Sequence, residues 1–222
     1  MGTICRNQIT SPCAAGGGVA VKAFDAHLIY ALAWLTFGAG HSLLACGWVK
    51  GGFQPFLGAF YRLAYNAVAT VHIALVWLVG AWVFGDGGAF ALPPYLGPMM
   101  MGVSVAGWLV LLIGLRGYDL GRLAGTRQIR NHLRGIDEPD DEPLRLDGLH
   151  RYVRHPLYTA GFLILWGRVA GDFDLATAVW GSLYLLIGTW FEERRLVKLY
   201  GDSYSDYRRR VPAFVPWKGR AF

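Results

Sequence analysis

The chain has 222 residues, 54% of them hydrophobic and only 16% charged, with 30 glycines and 9 tryptophans. That is more apolar surface than an ordinary soluble domain can cover, and it points to an integral membrane protein. A net charge of +6 would suit nucleic acid in a soluble chain, but here the basic residues stand between apolar runs, where membrane orientation accounts for them and no nucleic-acid partner is implied.

Residues 1–24 are polar and glycine-rich, contain Gly16-Gly17-Gly18, and lack the apolar core of a secretory signal, so they read as a tail. Residues 25–115 hold three apolar runs, 28–45, 64–84 and 95–115. Each approaches the roughly 20 residues a helix needs to cross a hydrocarbon core. His41, Asn66 and His72 interrupt them, and His72 reads as a histidine hydrogen-bonded between helices. Cys5, Cys13 and Cys46 show no CxxC spacing, which implies neither a disulfide framework nor a zinc site.

Residues 116–156 form a charged loop whose acidic stretch, Asp137 to Glu142, is broken by Pro139 and followed by Pro143. The prolines favour a solvated linker over a metal site. Two further runs, 157–170 and 175–191, are joined through Gly171-Asp172-Phe173-Asp174 and predict an antiparallel helical hairpin whose first member is short for a span. Beyond it, Leu196, Leu199, Tyr200, Tyr204, Tyr207 and Val211 recur every three or four residues opposite Lys198, Asp202, Arg209 and Arg210. This amphipathic segment is expected to lie on the membrane surface and to roof a pocket, with Gly201 ending one helix, Asp202 or Ser203 capping the next, and Trp217 as an interfacial anchor.

The fold class expected is therefore all-α, one membrane domain of about five transmembrane helices with a C-terminal hairpin (157–222) and an amphipathic tail. In that topology the region of Lys50 and Arg62, the 116–155 loop and the tail share one side and hold 18 of the 21 Lys and Arg residues. Arg6, Lys22 and Arg168 fall on the other side, so the positive-inside rule places the C-terminus in the cytoplasm.

Within this frame Arg154-His155-Pro156 stands where the fourth run begins. Proline suits the first position of a helix, whose free N–H groups and dipole attract a carboxylate or phosphate. Glu192 and Glu193 end the fifth run and return to the same face. Such a pairing of anion donors with carboxylates suits a zwitterionic cofactor carrying a sulfonium and a ribose. Ion pairs of these glutamates with Arg154, Arg194 or Arg195 satisfy the same geometry.

Arg154-His155-Pro156-x-Tyr158 with Gly161, then Glu192-Glu193, then Tyr200-Gly201-x-x-Tyr204-x-x-Tyr207-x-x-x-Val211-Pro212-x-x-x-Pro216, resembles the membrane methyltransferases related to isoprenylcysteine carboxyl methyltransferase and phospholipid N-methyltransferases. Bacterial thiol S-methyltransferases acting on methanethiol show a similar pattern. The likeness covers residues 145–217. It implies methyl transfer from S-adenosylmethionine at the membrane of a bacterial cell, to a small thiol first, or to an isoprenylcysteine carboxylate or amine-headed lipid. It also implies that His155, Tyr158, Gly161, Glu192 and Glu193 bind the cofactor, with Arg154 a further candidate, and it assigns no general base. Where the family commonly has Gly-Pro-Tyr, this chain has Gly148-Leu149-His150.

The N-terminal half, with His41-Ser42-Leu43-Leu44-Ala45, Lys50 and Tyr61-Arg62-Leu63-x-Tyr65-Asn66, resembles the NnrU membrane family. That likeness implies an alternative, a haem-binding isomerase or redox-associated protein with His41 and His155 as axial haem b ligands.

Overall fold

The computed structural model describes residues 23–85, 88–136 and 143–218. Residues 1–22 of the expected tail and the acidic stretch at 137–142 lie outside them, while Ala23 and Phe24, also read as tail, begin the first helix. Among the described residues the chain is helical, with α1 (Ala23–Ala45), α2 (Gly47–Leu57), α3 (Tyr61–Phe84), α4 (Leu96–Leu115), α5 (Leu120–Ala124), α6 (Thr126–Leu133), α7 (Pro156–Trp166), α8 (Asp172–Tyr200) and α9 (Asp202–Arg210). Three segments are long and apolar enough to cross a membrane: α1, the run from α2 through α3, and α4. This is an all-α integral membrane protein.

Helix α7 begins at Pro156, in the N1 position that proline favours, and ends after 11 residues. It therefore covers about 16 Å, roughly half of a hydrocarbon core, and packs along α4. Small residues permit that approach: a Cβ on Gly107 would lie 2.8 Å from the Ile164 nitrogen, and one on Gly167 would lie 2.3 Å from that of Ser104. Helix α8 has 29 residues and runs nine positions past the apolar stretch that ends at Phe191. The hairpin thus pairs a half-length helix with an overlong one.

Tyr30, Trp34 and Phe37 of α1, Val76 and Val83 of α3 and Ala176 of α8 form the buried core. The Tyr30 hydroxyl meets the Thr177 hydroxyl at 2.8 Å, which ties α1 to α8 with a satisfied polar pair. Gly80 leaves room for the rings of Phe173 and Tyr30, its Cβ position lying 2.3 and 2.6 Å from them.

Two expectations need correction. Gly201, at φ +58°, ends α8 and itself occupies the N-cap position of α9, without a side-chain cap from Asp202 or Ser203. And most of the apolar face of the tail is covered by protein: Tyr204, Tyr207 and Val211 are buried against Leu144, Leu146, Leu196 and Val197, while Leu199 stays exposed. The periodicity was real, but protein covers most of it.

Candidate functional site

The tail holds the entry to α7 in place. Arg154 and His155 donate backbone N–H bonds to the carbonyls of Pro212 and Ala213 at 2.9 and 3.1 Å, and the Thr159 hydroxyl donates to Phe214 at 3.0 Å. Tyr207 donates its hydroxyl proton to the His150 carbonyl at 2.6 Å. His150 Nδ1 lies 3.2 Å from the Arg154 carbonyl and its Nε2 lies 3.0 Å from the Tyr118 hydroxyl. Burial, partly offset by the bond to Arg154, pushes the His150 pKa down, which suits a neutral ring that donates to Arg154 and accepts from Tyr118. The departure at 148–150 from the family's Gly-Pro-Tyr thus falls in a bracket behind the site.

Arg154 spends its guanidinium inside this bracket. Its Nε donates to Glu193 at 2.8 Å, and Nη1 donates to the carbonyls of Arg208, at 3.2 Å, and Val211. The side chains of Arg154 and Glu193 are only 10% and 14% exposed, whereas Glu192 is 42% exposed. His155 bridges the two carboxylates, with Nε2 3.1 Å from Glu193 and Nδ1 3.6 Å from Glu192. Burial pushes the Glu193 carboxyl up, but the hydrogen bonds from His155 and Arg154 outweigh it and hold the group below the ordinary carboxylate range. Adjacent residues on one helix therefore have different tasks: Glu193 closes an internal ion pair, and Glu192 faces outward.

What Glu192 faces is a cavity of about 960 Å³. Tyr158 lines it beside Glu192. His155 stacks behind Tyr158, ring centroids 5.4 Å apart. Opposite stand His41, Leu44 and Ala45 of α1, Tyr61, Arg62 and Tyr65 of α3, and Arg122, Arg127 and Asn131 of α5 and α6, with Lys50 and Arg195 completing the basic rim. Of the residues the sequence singled out, the cavity brings together Tyr158, Glu192 and His41. Arg154, His155 and Glu193 form its support, and Gly161 faces Leu185 of α8, its Cβ position 3.1 Å from that side chain.

The α5–α6 wall escaped the sequence reading, which took 116–156 as an unstructured loop. Asp119 caps α5 by accepting from the Arg122 N–H at 2.9 Å and pairs with Arg127. Asn66 donates to the carbonyls of Leu123 and Ala124 at 2.9 and 3.1 Å, satisfying the end of α5 from α3. Gly125, at φ +97°, sits so close to α3 that a Cβ would lie 2.6 Å from the Leu63 nitrogen. An Asp before, and a Gly after, a short helical run were the available signals.

The two candidate haem ligands belong to different surroundings. His41 Nε2 lies 2.6 Å from the Tyr65 hydroxyl in the cavity wall, and His155 Nε2 meets Glu193 behind it.

Similarity to known proteins separates the two family likenesses. The chain is 31% identical over 202 residues to methanethiol S-methyltransferase 2 of Bradyrhizobium diazoefficiens, covering 86% of this chain and 74% of that protein. It belongs to the isoprenylcysteine carboxyl methyltransferase-like membrane methyltransferases. Methanethiol S-methyltransferase 1 of the same organism is 27% identical over 90% of this chain and 70% of its own length. Protein-S-isoprenylcysteine O-methyltransferase of Schizosaccharomyces pombe is 27% identical over 82% and 89%. No protein-family model matches the chain, and no solved structure does. Because the alignments cover so much of the chain, the methyltransferase likeness runs into the N-terminal half, and the NnrU likeness gains no support there. The protein is an integral membrane enzyme that transfers methyl groups.

Proposed function

We propose that the enzyme uses S-adenosylmethionine as methyl donor, binds it in the cavity beside Tyr158 and Glu192, and methylates a small thiol. The observation that carries this reading is the meeting of Tyr158 and Glu192 with a basic rim in one 960 Å³ cavity. That volume is at the upper end of the roughly 300–1,000 Å³ of ligand pockets, enough for a cofactor and a small acceptor together. The donor set also fits. A carboxylate and tyrosine rings suit a sulfonium and ribose hydroxyls, and arginines suit the carboxylate of an amino acid.

When bound, S-adenosylmethionine supplies an electrophilic methyl group on sulfur. The chain's part is positioning. Glu192, flanked by Tyr158 on one side and His155 on the other, presents a fixed negative charge to a cation. Arg62, opposite on α3, holds an anionic group at the other end of the same ligand. The α5–α6 wall, fastened by Asn66 and Asp119, excludes bulk water and keeps donor and acceptor aligned, which is where most of the barrier reduction in a direct displacement arises. A thiol reacts as its thiolate, so its proton leaves before or during attack. The names of the two bacterial relatives favour a thiol; the basic rim favours, as second reading, a carboxylate such as that of isoprenylcysteine. The concentration of Lys and Arg around the cavity supports a cytoplasmic position for this face, with the helices in a bacterial inner membrane.

Calorimetric titration of the detergent-purified chain with S-adenosylhomocysteine tests this reading. Saturable binding and methyl transfer to methanethiol are expected; binding with turnover only of an isoprenylcysteine analogue would select the second acceptor, and no binding would reject the donor.

A further inference from the structure

The cavity has two chemically different ends. Its rim carries Lys50, Arg62, Arg122, Arg127 and Arg195, whereas its inner end is made by His41 and Tyr65, with Leu44 and Ala45 nearer the rim, none of these four an acid, Lys or Arg. His41 lies one helical turn, about 6 Å, further into α1 than Ala45, and Tyr65 lies one turn further into α3 than Tyr61. Asn66, the other lining residue at that depth, is committed to the α5 carbonyls. Behind His41 the rings of Phe37 and Tyr184 stand 5.6 and 6.0 Å from its own.

The polar atoms at this inner end belong to one pair. Tyr65 and His41 Nε2 are 2.6 Å apart, and either can be the donor. His41 Nδ1 also lies 3.2 Å from that hydroxyl, but a neutral imidazole carries one N–H and the hydroxyl oxygen two lone pairs, so one lone pair on that oxygen stays open to a further donor. Either tautomer leaves one acceptor for a weak donor such as S–H. A carboxylate at this depth would be desolvated, with Arg62 its nearest cation one turn back toward the rim, whereas a thiol loses little on leaving water.

We propose that the inner end is the acceptor subsite, that it takes a small uncharged thiol, and that the His41–Tyr65 pair accepts the hydrogen bond from its sulfur. This rests on the methyl-transfer reading above and adds where the acceptor sits and what limits its size. Ala45, at the entrance to that end, sets the limit, because its methyl group is smaller than the side chains of His41, Leu44 and Tyr65.

The test separates acceptor from donor. On the detergent-purified full chain, KM for methanethiol and for 1-propanethiol is measured beside Kd for S-adenosylhomocysteine, in wild type, Tyr65→Phe, His41→Gln and Ala45→Phe. Tyr65→Phe and His41→Gln should raise the thiol KM roughly three- to tenfold, the worth of one net hydrogen bond, with Kd for S-adenosylhomocysteine within about twofold of wild type by the same measure. Ala45→Phe should lose propanethiol turnover before methanethiol turnover. A weakened S-adenosylhomocysteine affinity in Tyr65→Phe with thiol KM unmoved would overturn the proposal by assigning the inner end to the cofactor. So would unchanged thiol kinetics in all three variants. Absence of S-adenosylhomocysteine binding in wild type would instead defeat the methyl-donor reading on which the subsite rests, so the two failures are distinguishable. Tyr65→Phe keeps the ring packing, so it remains informative if His41→Gln or Ala45→Phe fails to fold.

Discussion

The two sides of the α7 entry behave oppositely although their residues are neighbours in sequence. On one side Tyr207 is buried, Arg154, Glu193 and His150 are half-buried, and all four are satisfied by one another and by the tail. On the other, Tyr158 and Glu192 open onto the cavity. The bracket holds, and the cavity has room to bind. A motif such as Arg-His-Pro-x-Tyr followed by Glu-Glu therefore divides into supporting and ligand-facing residues, and only the second group should respond to ligand chemistry.

The largest expected effect breaks the bracket. Arg154→Ala leaves two carbonyls without their donor and Glu193 with His155 alone within hydrogen-bond distance, in a mostly buried setting, and should cost about 3 kcal/mol of stability, the lower end for breaking a buried ion pair. Thermal unfolding in detergent would show a large drop in Tm; a drop under 1 °C would mean that the bracket is not the support described.

An acid titration sharpens the same point. The folded-state pKa of Glu193 lies below its ordinary value of 4.5, so its contribution is complete above that value and is lost as pH falls through the folded-state pKa. Wild-type Tm should fall below pH 4.5 more steeply than that of Glu193→Gln, which starts lower but lacks this titration. Parallel curves would contradict the assignment.

Tyr207→Phe is the smallest change. It removes the bond to the His150 carbonyl while keeping the ring, and should cost about 1 kcal/mol. Affinity for S-adenosylhomocysteine should be unaltered once the protein is folded, because the bond lies behind the site. A tenfold loss of affinity at unchanged Tm would place the tail in the cavity wall.

Much of this arrangement was legible from the sequence. Hydropathy marked the three apolar spans, and proline chemistry located the start of α7 at Pro156. The end of α8 was not visible, because hydropathy reports where a helix leaves the apolar layer, and Glu192 to Tyr200 are good helix formers that continue in water. Helix α2 was hidden by Gly47, Gly51, Gly52 and Pro55, which have poor helix propensity. Glu192 and Glu193 could not be separated, since adjacent side chains on a helix diverge by about 100° and only packing decides which one meets α7. The tail's periodicity was legible, but its partner was not: an apolar stripe asks for apolar cover and does not say whether lipid or Leu144 and Leu146 supplies it.

The central claim, that the two carboxylates have different tasks, is tested most directly by calorimetric titration of S-adenosylhomocysteine into Glu192→Gln and Glu193→Gln, each with its Tm recorded. Glu192→Gln should keep the wild-type Tm and bind at least about tenfold more weakly, as loss of a charge-assisted contact implies. Glu193→Gln should lose Tm and bind nearly as wild type below its melting range. The reverse pattern, with Glu193→Gln losing affinity at full stability and Glu192→Gln binding normally, would contradict the account.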